Sequence, residues 1–541
     1  MTSFKFHSCT VSFENLKTEK NVTWSGIIIS KEKELYLLTT FHPLTSLLTT
    51  QQLSALDDSS TNNLPTNLLR LKTSITTLNQ EDNKNKSKLI SSMVVYNDSS
   101  ILFKSLRLEN ILKENMSMLD DQKNSCFDES YLRFFCWFVI IKLTTESCSL
   151  DSFSVGNSKN LSNNLYTGKT VKTMSFPFGS DHTKVFQGCC SKGIVSNLID
   201  NTLIVTDARC LPGSEGGLIY KDKEFFGIVI SPLYVESGQL SGFSIGCTGY
   251  EVLKCLDAEI NVNSLSKKQS LYNNLSPSVR ETGPMVVKIK TGSTLGTGVV
   301  CGIKFDESQS TIYVVTCNHV VINTDLDKTL GCFFTSENNT VISSVATVIY
   351  KSKSKYFDLA ILHFRLPVTK GKYVLSSYSP WFKKIKKNTF MINYSSNYFT
   401  CDKVNAKGHA FFDRYVPPFV SCGIISKVVK FDSTNTKAKS MAGLVHTTCN
   451  VVKGISGGAL YLQEKPTFLG IIVCNIDEVQ DEKVILYPNI SFVLPSQLFM
   501  PAIQQLLFGQ SKWIITLDEI SFDYNFEQTW KIFNASVLSK L

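Results

Sequence analysis

His319, Asp358 and Ser456 stand in the chain order and local settings that acyl transfer by an activated serine requires. A serine hydroxyl is a weak nucleophile until a neighbouring base takes its proton, and that base must be held in one tautomer by a third group. His319 closes the β-branched run V-V-T-C-N-H, Asp358 opens F-D-L-A-I-L-H-F, and Ser456 sits in G-I-S-G-G. Small residues there let the backbone turn tightly and approach a substrate closely. The amides of Gly454 and Ser456 are placed to face a developing oxyanion. One such donor is worth roughly 2.7–4 kcal/mol, and a general base adds about 10²–10⁴-fold. His363, His409 and His446 are read as structural or exposed, and Cys317 as a core thiol.

The same landmarks occur once more upstream. Residues 206–217 read T-D-A-R-C-L-P-G-S-E-G-G against T-T-C-N-V-V-K-G-I-S-G-G at 447–458, so Glu215 holds the position of Ser456. His42 in L-L-T-T-F-H-P-L matches His319, and Asp98 in N-D-S-S-I-L-F matches Asp358. Two further matches, S-K-G-I-V-S with S-C-G-I-I-S and F-G-I-V with L-G-I-I, flank the Gly-rich turns in the same order. Five short matches in one order mark an internal duplication. In the first copy a carboxylate is no peptidase nucleophile, and Ser214 is one position off. His42, Asp98 and Glu215 therefore form a degenerate triad. That copy is either a structural relic or a substrate-binding or regulatory surface.

Spacing shows where the copies differ. The offset falls from 277 residues at the histidines to 260 at the aspartates and 241 at Glu215/Ser456, so the first copy carries extra residues between landmarks. Segments 57–67 and 79–88, rich in Ser, Asn, Asp and Lys, suit surface loops, and 261–284 has the same character. Short β-branched and aromatic runs bounded by Gly, Asn, Asp and Pro predict strands and turns, as in barrels or sandwiches. An amphipathic helix is expected over 495–507. The expected organisation is a degenerate domain over 1–260, a linker over 261–284, a catalytic domain over 285–511 and a tail over 512–541.

Composition narrows the function. A chain of 541 residues suggests three or four domains at roughly 150 residues each, or two large all-β ones. Its longest apolar stretch, 134–141, falls short of the ~20 residues that span a bilayer, so no membrane insertion is expected. The N-terminal residues lack the pattern of a secretory signal. Sixteen scattered cysteines, without C-x-x-C pairs or zinc spacing, read as free thiols, and neither metal nor cofactor is expected. A charge of +9 without one long basic block argues against nucleic acid. Ser539, Lys540 and Leu541 spell a peroxisome address read by an import receptor.

Together, T-G-V-V at 297–300, V-V-T-C-N-H, F-D-L-A-I-L and G-I-S-G-G resemble a chymotrypsin-fold serine protease. The T-T-C-N-V-V-K-G-I-S-G-G segment and T-D-A at 206–208 point to its Deg branch. With S-K-L, the chain resembles the peroxisomal leader peptide-processing proteases, which are trypsin-like and Deg-related. The specific motifs lie mainly over 297–474. The resemblance implies an all-β fold of tandem trypsin-like double β-barrel units, the first degenerate, closed by a helix and a short tail. It implies a serine endopeptidase of the peroxisomal matrix with base His319, orienting Asp358 and nucleophile Ser456. Its substrates would be imported precursors that lose N-terminal leaders, some C-terminally addressed proteins, and several enzymes of fatty-acid β-oxidation. It also implies cleavage after cysteine and self-cleavage. Cys126 is the candidate point for that, its alternative being an ordinary loop cysteine.

Departures refine this expectation. Asn450, six residues before Ser456, replaces the acidic group a trypsin needs, so cleavage after Arg or Lys is disfavoured. The 85 residues after Ser456 must complete a barrel, leaving no room for the PDZ domain common in Deg proteases. Substrate choice is then assigned to the first half. Two alternatives stay open: a peroxisomal pseudo-enzyme that binds peptides or scaffolds, and a general degradative protease. The oligomeric state, homo-oligomer included, is open too.

Overall fold

The computed structural model describes residues 4–15, 17–31, 34–51, 69–75, 92–96, 101–105, 137–143, 165–178, 186, 188–199, 202–222, 224–234, 239–249, 251–252, 283–292, 294–335, 341–410, 416–434, 440–480, 483–531 and 538–539. Asp98, Cys126, Lys540 and Leu541 lie outside the described residues, as do segments 57–67 and 79–88 and nearly all of 261–284. The chain forms two compact units, Met1–Ser276 and Pro277–Leu541. Among the described residues each is mostly β.

Unit 1 opens with β1 (Phe4–Asn15), β2 (Asn21–Lys31), β3 (Glu34–Thr40), β4 (Leu69–Ile75), β5 (Ser92–Tyr96), β6 (Ile101–Ser105) and β7 (Trp137–Leu143). These pair as one sheet in the order β5-β4-β1-β2-β3-β7-β6. A closed six-stranded barrel follows, made of β8 (Thr170–Ser175), β9 (Cys189–Ile199), β10 (Leu203–Thr206), β11 (Leu218–Lys221), β12 (Glu224–Tyr234) and β13 (Leu240–Thr248), in the order β10-β13-β12-β11-β8-β9. Along β8 every second residue is buried, the period-2 signature of a strand with one face on a core.

Unit 2 repeats this plan with both barrels closed. Its first sheet comprises β14 (Val286–Thr291), β15 (Thr294–Phe305), β16 (Gln309–Thr316), β17 (Thr329–Thr335), β18 (Val341–Lys351), β19 (Ala360–Pro367), β20 (Phe382–Lys386) and β21 (Thr389–Ile392). The order is β14-β17-β18-β19-β16-β15-β21-β20, and the β14–β15 pairing closes six of them into a barrel. The second comprises β22 (Lys403–Gly408), β23 (Phe419–Phe431), β24 (Met441–Thr447), β25 (Ala459–Leu462), β26 (Phe468–Gln480) and β27 (Lys483–Pro495), closed by β25–β26. Taken strand for strand, β22 to β27 have the order of β8 to β13. The all-β, tandem double-barrel fold read from the motifs is the fold of the chain.

Among the described residues the α-helices are α1 (Val368–Ser377), α2 (Met500–Leu507), α3 (Trp513–Ser521) and α4 (Tyr524–Lys531). The helix expected over 495–507 starts only at Met500, because Ser496–Leu498 forms a 3-10 turn and Phe499, at φ −124°, breaks the helical path. Gly302 lets α2 lie against β15, since a Cβ there would strike the Leu507 methyls at 2.8 Å. Beyond Lys512 the expected tail is instead two packed helices, burying Leu517, Ile520, Phe526 and Trp530. Asp523, fully buried, holds them down. Its Oδ1 accepts from the Asn525 and Phe526 N–H groups, and its Oδ2 from the Ser433 hydroxyl and the Thr434 N–H. A two-residue strand, β28 (Leu538–Ser539), then pairs with β26. Among the described residues no helix is long and apolar enough to cross a membrane, and every cysteine is a free thiol.

Candidate active site

In unit 2 the end of β16 delivers His319 into a short 3-10 turn, Asn318–Val321, and Asp358 lies two residues before β19. These strands are neighbours, pairing from Gln309↔Pro367 to Thr316↔Ala360. The two side chains therefore meet. Asp358, 4% exposed, accepts the His319 N–H on Oδ1 (2.9 Å), and its Oδ2 lies 2.5 Å from His319 Nδ1. Holding both backbone and ring leaves the imidazole one orientation, and His319 Nε2 is buried with no hydrogen-bond partner.

Ser456 lies on the turn between β24 and β25. Gly454 and Gly457 adopt φ +95° and +81°, and a Cβ on Gly457 would run into the Thr297 carbonyl and the Thr316 hydroxyl. The turn is held by Ile455 N–H to Val452 O, Gly458 N–H to Ile455 O and Gly457 N–H to Ile472 O. Thr297 on β15 clamps it to the first barrel of the unit. Its N–H donates to Ser456 O (2.8 Å) and its hydroxyl to Gly454 O (2.7 Å), while that hydroxyl accepts the His409 N–H (2.8 Å). The Ser456 hydroxyl, fully buried, donates to Val473 O on β26 at 3.3 Å.

Asn450 is buried, its N–H donating to the Ser421 hydroxyl at 2.9 Å. On the neighbouring strands Asn475 Nδ2 donates to Val451 O (2.6 Å), and Ser491 Oγ donates to Asn475 Oδ1 (2.8 Å). Cys317 Sγ, buried behind the His–Asp pair, donates to Ile472 O (3.2 Å). Cys317, His319 and Asp358 offer three donor atoms within 4.8 Å of one another, the one such grouping among the described residues. Asp358 is already committed to His319 there. His409 is buried, its Nδ1 3.1 Å from Val416 O, and burial holds its pKa down at about 3, which keeps it neutral.

Unit 1 keeps the turn and most of the bonds that clamp it, although the Ser25 N–H donates to Gly213 O (3.1 Å) where the Thr297 N–H donates to Ser456 O. Ser214 N–H reaches Leu211 O, Gly217 N–H reaches Ser214 O and Gly216 N–H reaches Val229 O, matching the three turn bonds around Ser456. Ser25 takes the part of Thr297, its hydroxyl donating to Gly213 O (2.7 Å) and accepting the Phe176 N–H (2.8 Å). Gly213 and Gly216 sit at φ +88° and +80°. In the place of Ser456 the buried Glu215 folds its carboxyl group back onto the turn, accepting from the N–H of Gly213 (2.7 Å) and from its own N–H. Burial raises its pKa to about 7 despite those two bonds. Ser214 is fully buried and bonded to Ser175 Oγ (3.0 Å) and to the Leu211 N–H (3.2 Å). His42 occupies the matching 3-10 turn, its pKa lowered to about 4 by burial.

Sequence reasoning missed Thr297 as the clamp and the Glu215 carboxyl group as an acceptor seated on the turn. An aligned signal was present for the first: W-S-G-I at 24–27 sits where G-T-G-V stands at 296–299.

No protein-family model matches the chain. It is 24% identical over 354 residues to the human peroxisomal leader peptide-processing protease, covering 62% of this chain and 55% of that protein. The mouse protein of the same name is 22% identical over 408 residues, or 71% and 64%. The matched stretch thus spans somewhat over half the length of these relatives. Similar solved structures include Deg5 (15% identical, 47% of this chain and 98% of that one, TM-score 0.28) and the HtrA-type protease AlgW with a tripeptide (21%, 42% and 62%, 0.27). Another is the MamO protease domain from Magnetospirillum magneticum (16%, 40% and 95%, 0.26). The chain is thus a tandem of trypsin-like double-barrel units, distantly similar in sequence to the peroxisomal leader peptide-processing proteases.

Proposed function

We propose that the chain is a serine endopeptidase whose base is His319, orienting group Asp358 and nucleophile Ser456. The observation that carries this reading is the His319–Asp358 pair, with Nε2 left unpartnered, in the same unit as a serine on a turn built like that of unit 1. For attack, the Ser456 hydroxyl turns from Val473 O to Nε2, which takes its proton. Hydrogen bonds of this kind are often loose before substrate arrives. The N–H groups of Gly454 and Ser456 correspond to those that hold the Glu215 carboxylate in unit 1. They are the donors for the negative oxygen of the tetrahedral intermediate. Collapse expels the amine with the proton from His319. Water, deprotonated by the same ring, then releases the acyl group.

Asn450, an amide where a basic P1 side chain would need a carboxylate, favours neutral P1 residues. From the relatives' names the substrates are precursors bearing N-terminal leaders, and the compartment is the peroxisome. The test incubates wild type and Ser456→Ala with such a precursor and identifies all products by mass spectrometry. One Ser456-dependent cut at the leader junction supports the reading. Identical products from both proteins refute it, and many cuts throughout an unfolded chain favour a degradative protease.

A further inference from the structure

The edge of β26 that passes Ser456 has an occupant. One edge of β26 pairs with β27 from Gly470 to Gln480, while the other pairs with β25 only over Phe468, Gly470 and Ile471. Beyond these, Ile472 still exchanges bonds with Gly457 and Gly458, and Val473 O receives the Ser456 hydroxyl. At Asn475 and Ile476 the same strand takes β28 as an antiparallel partner, Asn475↔Ser539 and Ile476↔Leu538. Two residues of strand separate Asn475 from Val473, about 7 Å. β28 therefore pairs immediately alongside the candidate nucleophile.

Its direction matters as much as its place. As β28 passes from Leu538 to Ser539, its partner passes from Ile476 to Asn475, towards Val473. A peptide in this register travels N to C towards Ser456, the direction that brings a carbonyl, and so an acyl group, to the hydroxyl. The platform is stiff, because Asn475 is fully buried and tied to Val451 O and Ser491 Oγ. Strand addition of this kind takes its affinity from main-chain hydrogen bonds, which any peptide can supply.

We propose that the β28 strand sits on the edge of β26 used by the acyl side of a peptide substrate, and so restrains Ser456 by intramolecular competition. This rests on the reading of Ser456 as the nucleophile. Tethering gives a weakly pairing segment a high effective concentration, of millimolar order for a short tether. An incoming substrate must displace it, which raises KM and leaves kcat unchanged.

The experiment uses the full chain with Leu538→Pro or Ser539→Pro, since proline removes an N–H from the pairing segment. Both variants are expected to lower KM by roughly three- to tenfold and to label faster with a fluorophosphonate, with kcat unaltered. A synthetic peptide of residues 534–541 is expected to inhibit both variants competitively. Amide hydrogen exchange over Asn475 and Ile476 gives a readout that needs no catalysis, and the N–H of this pair that faces β28 is expected to exchange faster in both variants. Unchanged exchange together with unchanged KM overturns the proposal, as does a raised KM. If no protein labels but exchange still quickens, the pairing stands and the nucleophile reading falls, and with it the competition.

Discussion

Thr297→Val separates the clamp from the catalytic groups. Valine keeps the shape and the N–H bond to Ser456 O but removes the hydroxyl that joins Gly454 O (2.7 Å) to the His409 N–H (2.8 Å). All three groups are buried, so the change strands one acceptor and one donor. At about 1–3 kcal/mol for each unsatisfied buried group, unit 2 should lose about 2–6 kcal/mol. Catalysis should suffer separately, because Gly454 carries one of the two N–H groups assigned to the oxyanion. A displacement on the order of 1 Å in such a group costs about 10²-fold. Thr297→Ser is the control. Unit 1 makes the same two bonds from Ser25, so a serine can serve, and its lost methyl should cost only about 1 kcal/mol. The assays are the urea unfolding midpoint and the rate of fluorophosphonate labelling at Ser456. Valine and serine variants that behave alike in both would refute the clamp.

Asp358→Asn should cut kcat/KM by about 10⁴-fold with little loss of stability, because an amide can still accept the His319 N–H but no longer fixes the ring's tautomer; peptide cleavage at several pH values checks this. Glu215→Gln should stabilise unit 1 increasingly as pH rises. In the unfolded chain the carboxyl ionises near 4.5 and in the fold near 7, so the unfolded state sheds its proton first and the wild type loses stability between those values. The gap between variant and wild type should widen by about 3 kcal/mol from pH 4 to 8 in urea titrations, and a constant gap would count against a buried, ionising Glu215. Asp523→Ala should cost about 2–4 kcal/mol by uncapping α4 and freeing the loop at Ser433 and Thr434, with Trp530 emission shifting to the red.

The order His319, Asp358, Ser456 and the Gly-rich turn could be read directly, because a tight turn with positive φ needs glycine at fixed offsets and leaves a mark in the letters. The barrels were legible for a similar reason, since strands with one face on a core alternate, as β8 does. What stayed hidden depends on partners far away in sequence. Asp523 meets Ser433 from 90 residues off, and without that contact the stretch after Lys512 reads only as a tail. Thr297 reaches Gly454 across 157 residues, and nothing local distinguishes it from any strand threonine. Glu215 was recognisable as a missing nucleophile, but only its backbone bonds reveal that it fills the place an oxyanion would take.

That substitution gives the unit 1 turn an acceptor of its own. A serine side chain in that position brings no carboxyl oxygen to the turn. A glutamate supplies one permanently. The carboxyl group in place of the serine therefore satisfies donors of the turn, and the glycines at φ +88° and +80° keep the conformation they share with Gly454 and Gly457. Unit 2 has no such carboxyl group on its turn. Its donors must be held by the frame around them, which places on Thr297, His409 and the bonds to Ile472 the work that the carboxylate does in unit 1. Both turns answer the same requirement, that buried backbone N–H and C=O groups be paired.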